Sequence, residues 1–256
     1  MSLQNESKLN QLLQEQPNGA IYLTKWLKEN GFSNQLLVRY KKSNWIESIG
    51  TGAFIRKGAD VSWLKAVYAL QRQAGLPIHP GGRTALSLQR RSHYLTMGRE
   101  QVTLFGPLHS HLPTWFRTYR WEESIKLITS SFLPPHLGLI AIEDKSFEVK
   151  VSSPARALME CLYLAPDRFD LVECNHLMEG LNDLPPVEVQ ELLENCSSIK
   201  VKRLFLYMAD KAKHSWLEYV DTARINIGKG KRHLVKDGVF IPKYGITVPK
   251  EIAHHE

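Results

Sequence analysis

Asp144, Glu148 and Lys150 are the residues whose types come nearest to a catalytic set. A carboxylate in a turn, followed by Glu-x-Lys on a strand, is what a Mg²⁺-dependent, restriction-type DNA nuclease uses. The acids hold the metal and the lysine helps to activate water. The spacing argues the other way. Asp144 lies only four residues before Glu148, in what reads as the hairpin turn itself, and the charges alternate with Phe147, Val149 and Val151 as on any amphipathic edge strand. His109-Ser110-His111 offers two imidazoles at alternate positions that could ligate zinc from a strand. No cysteine or further histidine stands at structural-zinc spacing, and the nearby prolines favour an exposed loop. Gly228-Lys229-Gly230-Lys231-Arg232 lacks the Gly-Lys-Ser/Thr ahead of a helix that defines a phosphate loop, and reads as a basic hairpin turn, with contact to nucleic acid or a protein partner as the alternative. His254-His255 reads as a terminal tail. No Gly-x-Ser-x-Gly is present, and nothing else assembles a nucleophile with a base. These residues imply no metal, no cofactor and no enzyme.

A different chemistry, recognition of a duplex, is carried by Tyr22 to Arg56. Gln35, Arg39 and Lys42 recur at i, i+4 and i+7, with Asn34 and Lys41 beside them, so one side of a helix presents an amide and several cations. Amide and guanidinium groups on a helix in the major groove reach base edges, and lysines suit phosphates. That helix is bounded by Ser33, whose hydroxyl can cap it, and its other side carries Leu36, Leu37 and Tyr40. A preceding helix is expected over Tyr22–Lys28, where Leu23, Trp26 and Leu27 fall at i, i+3 and i+4. Gly31 supplies the turn between them, because glycine accepts positive φ without steric cost. Trp45–Ile49, Gly50-Thr51-Gly52 and Ala53–Arg56 then read as two short strands about a glycine turn. Two helices, a tight turn and a hairpin is the order of a winged helix-turn-helix. Gln35 and Arg39 are the expected base readers, Lys41, Lys42, Arg56 and Lys57 the expected phosphate contacts, and Thr51 sits at the wing tip. The bland reading is a helix pair on a hairpin with a solvated basic face, and a winged helix that recognises protein instead is a third.

Charge separates these readings. Residues 1–95 hold thirteen Lys and Arg against five Asp and Glu, an excess of eight, whereas the remainder is one short of neutral. The whole net charge of +7 therefore travels with the helix-turn-helix, and a polyanionic partner is its simplest explanation. With 256 residues and 43% hydrophobic content the chain can bury a core, and its length suggests two domains. No apolar run approaches the roughly 18 residues of a membrane span, and the polar start, Met1 to Glu6, does not read as a signal peptide. Cys161, Cys174 and Cys196 form no Cys-x-x-Cys pair and sit in the apolar phase of helical patterns. They read as small core residues in a reducing cytoplasm.

The elements that must hold these residues follow in order. Leu9, Leu12 and Leu13 mark a short first helix, stopped by Pro17-Asn18-Gly19. After the hairpin, Asp60 can cap a helix bearing Val61, Leu64, Tyr68 and Gln71, and Pro80-Gly81-Gly82 opens another over Arg83–Arg90, where Arg83, Arg90 and Arg91 either extend the phosphate footprint or form a solvated surface. A boundary is expected at residue 90, between a winged helix-turn-helix domain (1–90) and a mixed α/β domain (91–256). In the second, strands are expected over about 92–151, at Val102–Phe105, Trp115–Tyr119, Ile125–Ile128, Leu137–Ile142 and Phe147–Val151. Helices follow over about 153–213, opened by the Ser153-Pro154 cap, and a small sheet ends the chain. The fold class is α+β.

Taken together these stretches resemble the AbiEi family, the antitoxins and transcriptional regulators of type IV toxin–antitoxin (abortive infection, phage defence) systems. The resemblance runs over nearly the whole chain. It is carried by the helix-turn-helix of residues 8–57, by Gly81-Gly82-Arg83-Thr84-Ala85-Leu86, Ser92-His93-Tyr94-Leu95 and Val102-Thr103-Leu104-Phe105-Gly106, and by Ser153-Pro154-Ala155-Arg156-Ala157-Leu158-Met159-Glu160. Met178-Glu179-Gly180-Leu181, Val201–Tyr207, Gly230-Lys231-Arg232 and Tyr244–Pro249 complete it. The resemblance implies that the N-terminal winged helix binds inverted repeats in the system's own promoter and represses it, with Ser33, Asn34, Gln35, Arg39, Lys41, Lys42, Thr51 and Arg56 as its DNA contacts. It implies too that the C-terminal part counteracts a nucleotidyltransferase-like toxin without a stable complex. On that footing, the charge clusters Lys200, Lys202, Arg203, Lys231 and Arg232 are the residues to suspect in antitoxicity, against the alternative of a solvated helix face and turn.

Overall fold

In the computed structural model, which describes residues 8, 10, 12, 16, 19–89, 101–144 and 147–253, the helix-turn-helix closes on its own small core. Helix α1 (Thr24–Glu29) buries Leu27, and α2 (Asn34–Lys42) buries Leu36, Leu37 and Tyr40. Between them Gly31 takes φ +79°. Ser33 stands in extended backbone and its Oγ accepts from the Leu36 N–H at 3.2 Å, the expected cap. Strands β2 (Ile46–Gly50) and β3 (Ala53–Arg56) form the wing. Tyr22 and Leu23 are not the first turn of a helix. They form strand β1, antiparallel to β3 in the order β1-β3-β2, with Tyr22 opposite Phe54 and Leu23 opposite Ala53. Alternation explains the change, since Tyr22 then faces the helices while Leu23 faces the other way.

The wing sheet is thus shared between two apolar layers. Tyr22 and Ile46 join Leu12, Leu27, Phe32, Leu36, Leu37 and Tyr40. Ile21, Leu23, Ala53 and Ile55 join a second and larger core that runs through to Ile252.

That second core begins with α3 (Trp63–Arg72), capped by Ser62 through the Lys65 N–H at 3.3 Å, not by the expected Asp60. Ser62 immediately precedes the helix, whereas Asp60 stays exposed and its backbone carbonyl receives the Lys65 ammonium at 2.9 Å. Strand β4 (His79–Pro80), α4 (Gly82–Leu88), β5 (Gln101–Gly106) and β6 (Ser124–Thr129) follow. The sheet order is β4-β5-β6, with β5 and β6 parallel. Parallel neighbours need a crossover, and the segment expected as a strand at Trp115–Tyr119 lies in it as helix α5 (Thr114–Thr118). Trp115 and Phe116 are both buried, which successive residues of a one-faced strand cannot achieve.

Strands β7 (Leu139–Asp144) and β8 (Phe147–Ser152) make a hairpin with Glu143 opposite Glu148. From Ser153, whose Oγ accepts from the Arg156 N–H at 3.3 Å, the chain becomes helical: α6 (Pro154–Leu164), α7 (Leu171–Glu179), α8 (Pro186–Asn195) and α9 (Ile199–Lys211). Helix α6 is buried from Ala155 to Leu162 and α9 from Val201 to Ala209, so both are covered around their whole circumference, the charged Arg156, Glu160, Lys202 and Arg203 included. Strands β9 (Arg232–His233), β10 (Val239–Ile241) and β11 (Ile246–Val248) form the terminal sheet in the order β10-β11-β9, before α10 (Lys250–Ala253). The fold is α+β, as expected.

The expected boundary at residue 90 falls outside the described residues, as do Leu9, Leu13, Pro17, Asn18, Arg90, Arg91, Ser92-His93-Tyr94-Leu95, Lys145 and His254-His255. The packing groups α3, β4 and α4 with α6 and β8. Gln71 draws α3 against β8 with two hydrogen bonds, its Nε2 donating to the Lys150 carbonyl at 2.8 Å and its Oε1 accepting from the Lys150 N–H at 2.9 Å.

Candidate nucleic-acid interface

Because Leu36, Leu37 and Tyr40 are drawn into the small core, the rest of α2 is turned outward. Ser33, Asn34, Gln35, Arg39, Lys41 and Lys42 are all exposed, and α2 holds no acidic residue. Three of its cations sit in the last turn, where the carbonyl end of the helix favours positive charge. Helix α2 packs against β2, which brings the wing to the same part of the molecule, with Thr51 exposed at its tip and Arg56 exposed at the end of β3. Ser33 differs from the others in that its hydroxyl is already engaged as the cap. Lys57 is also set apart: its ammonium lies 3.0 Å from Glu47 Oε2, while the Gly58 N–H binds Glu47 Oε1 at 3.1 Å. Those two bonds hold the Glu47 carboxyl below its ordinary pKa. One exposed residue of this face, Val38, goes against the periodicity, which assigns apolar residues to the core.

The five C-terminal cations separate into two kinds. Lys200 donates to the carbonyls of Tyr163, at 2.8 Å, and Ala165, at the end of α6, and burial lowers its pKa. Arg203 is 3% exposed; its Nε donates to the Ile227 carbonyl at 2.7 Å, and its Nη1 to Gly230 at 2.7 Å and Gly245 at 3.1 Å. Lys202 is 4% exposed. These three are not a solvated helix face. Lys231 and Arg232 are exposed, one just before β9 and the other its first residue, next to the Gly230 carbonyl that Arg203 holds.

The nuclease-like trio is engaged otherwise. Arg72 Nη2 lies 2.7 Å from Glu148 Oε1, Asp144 closes the hairpin opposite Phe147, and Lys150 is exposed with its backbone bound to Gln71. His109 takes φ +65° in a turn where the Ser110 N–H meets the Pro107 carbonyl, so the two exposed imidazoles are not on a strand. Among the described residues, no group of three or more His, Cys, Asp or Glu could hold a metal, and no helix is long and apolar enough to cross a membrane.

One polar cluster has no local signature in the sequence. Glu160 on α6 is fully buried. Its Oε1 meets His79 Nε2 at 3.1 Å and Arg156 Nε at 2.9 Å, and its Oε2 accepts from the Gly82 N–H at 2.8 Å and Ser152 Oγ at 2.7 Å. Burial alone would raise its pKa, but these partners outweigh that and hold it low. Gly81 passes so close that a Cβ there would lie 2.2 Å from Oε2. The sealed carboxylate ties β4, α4, β8 and α6 together, and it has no surface for a substrate.

Two family models cover almost the whole chain. One, described as the N-terminal domain of the AbiEi antitoxin transcriptional regulator, matches residues 5–97. The other, described as a transcriptional regulator, AbiEi antitoxin, of type IV toxin–antitoxin systems, matches residues 99–249. Among curated proteins there is no match. The fold is similar to the crystal structure of the RV2827C protein from Mycobacterium tuberculosis, at a TM-score of 0.58 and 14% identity, over 96% of this chain and 91% of that one.

Proposed function

The chain belongs to the AbiEi family of type IV antitoxin transcriptional regulators, and from that premise we propose that its winged helix binds operator DNA in its own promoter and represses it. The observation that carries the reading is the exposed row Gln35, Arg39 and Lys42 on a helix without acidic residues, beside a wing that presents Thr51 and Arg56. Gln35 and Arg39 reach base edges, Asn34 contributes a second amide, and Lys41, Lys42 and Arg56 hold phosphates. Ser33 sets the helix start against the backbone. The C-terminal part opposes a nucleotidyltransferase-like toxin without forming a stable complex, and Lys231 and Arg232 are its accessible cations. No bond is made or broken by this chain in that account, and it acts in the cytoplasm.

The test is binding of the full chain to a duplex spanning the region upstream of its own gene, across a range of salt. Arg39→Glu with Lys42→Glu is expected to abolish specific binding. Single neutral replacements should flatten the salt dependence by about one unit of slope for each phosphate no longer neutralised. Unchanged affinity in the double variant would overturn the assignment. Wild-type chain that ignores DNA would favour a winged helix that recognises protein.

A further inference from the structure

Val38 is the exception on the outward side of α2. It is 54% exposed, with Asn34 and Gln35 four and three residues before it and Lys41 and Lys42 three and four after it. Those spacings make all four its neighbours on the helix surface. The fold gains little from a valine there: its burial is small, and a β-branched residue is a poorer helix former than a lysine or glutamine. A single exposed aliphatic residue is ordinary on a surface, but this one stands in the middle of the face proposed to enter a groove.

The major groove supplies a matching apolar feature. An A·T pair displays N7 and N6 of adenine next to O4 and the C5-methyl of thymine, and a glutamine can bond the adenine edge twice, its amide NH2 donating to N7 and its amide oxygen accepting from N6. We propose that Val38 packs on a thymine C5-methyl while Gln35 reads adenine beside it, so that the central contact of α2 selects A·T-containing steps. The inference rests on the DNA-binding reading and adds the base feature that is read. Removing Val38 would leave Lys41, Lys42 and Arg56 to bind phosphates, so non-specific binding would persist while discrimination at one position disappears.

The probe is a duplex selected by the full chain from a random-sequence pool, then remade with deoxyuridine in place of each thymine in turn. Deoxyuridine keeps every hydrogen-bonding group and lacks only the methyl. At one thymine in each half-site the wild type should lose about fourfold in affinity, the worth of one methyl taken from water. Val38→Ala should show a similar loss on the thymine duplex and no further loss on the deoxyuridine one. Alanine is the better helix former at this exposed position, and the wild-type deoxyuridine series needs no variant at all. A wild type indifferent to every thymine methyl, or an alanine variant weakened equally on both duplexes, would overturn the role of Val38 and leave DNA binding standing. A wild type that selects no sequence would overturn both.

Discussion

Gln73 pairs with the backbone of Leu23 as a neighbouring strand would. Its Oε1 accepts from the Leu23 N–H at 2.8 Å, and its Nε2 donates to the Ile21 carbonyl at 2.6 Å. Gln73 follows α3, a helix of the larger core, whereas β1 belongs to the winged helix. One amide therefore fastens the winged helix to the larger core, and a second close contact supports it. A Cβ on Gly50 of the wing would lie 2.8 Å from the Cβ of Trp115 on α5.

Replacing Gln73 should loosen that joint. Gln73→Leu leaves two buried backbone groups without partners, at about 1–3 kcal/mol each. The denaturation midpoint should fall, and the Leu23 amide should exchange faster. Gln73→Glu is more telling, because its carboxylate accepts from Leu23 but faces the Ile21 carbonyl with no hydrogen. Burial and that carbonyl raise the carboxyl's folded pKa, so the folded state takes up the proton first and the variant gains stability as pH falls towards the unfolded value. A Gln73→Glu variant that gains nothing relative to wild type on acidification would show that the amide does not donate to Ile21.

Glu160 has the opposite sign. Its folded pKa lies below the ordinary glutamate value of 4.5, so its contribution is fully present above that pH and is lost as pH falls through the folded value. Glu160→Gln leaves Arg156 and His79 without their carboxylate, and breaking such a buried pair costs about 3–5 kcal/mol. Equilibrium denaturation at neutral pH should show that loss, and the variant should respond less than the wild type to acid below the ordinary glutamate value of 4.5. A loss under about 1 kcal/mol would mean that the cluster does not hold the four elements together.

What the sequence discloses by itself is local. Ser33 before Leu36-Leu37 and Ser153 before Pro154 carry cap and periodicity in neighbouring residues, and both helices start where those signals stand. Strands β5, β6 and β8 are legible because their apolar runs are short and bounded by turns. Trp115–Tyr119 misleads because an aromatic run has the same appearance in a strand and in a crossover helix; the parallel pairing of β5 with β6 decides between them, and that pairing is not local. Glu160 is invisible for the same reason, since Ser152 and Arg156 are near it in the chain but His79 and Gly82 come from a distant stretch. The stretches Gly81–Leu86 and Ser153–Glu160 that carry the family resemblance meet at this carboxylate.

Charge in a sequence does not disclose burial, and the C-terminal cations show the consequence. Lys200 caps the end of α6 through the Tyr163 and Ala165 carbonyls, groups that a helix end leaves without partners. Arg203 holds three carbonyls. Lys200→Met and Arg203→Met should therefore lower stability by about 1–3 kcal/mol each, and any loss of toxin neutralisation should track the amount of folded protein. Lys231→Glu with Arg232→Glu changes two exposed side chains and should lower stability by no more than about 1 kcal/mol, the worth of an exposed contact such as that of the Lys231 ammonium with the Phe240 ring. If these two cations act in antitoxicity, that double variant should lose neutralisation in cells at undiminished abundance while still repressing its promoter. Full neutralisation by the double variant would remove Lys231 and Arg232 from the mechanism. Loss of neutralisation by a fully folded Lys200→Met chain would return Lys200 to it.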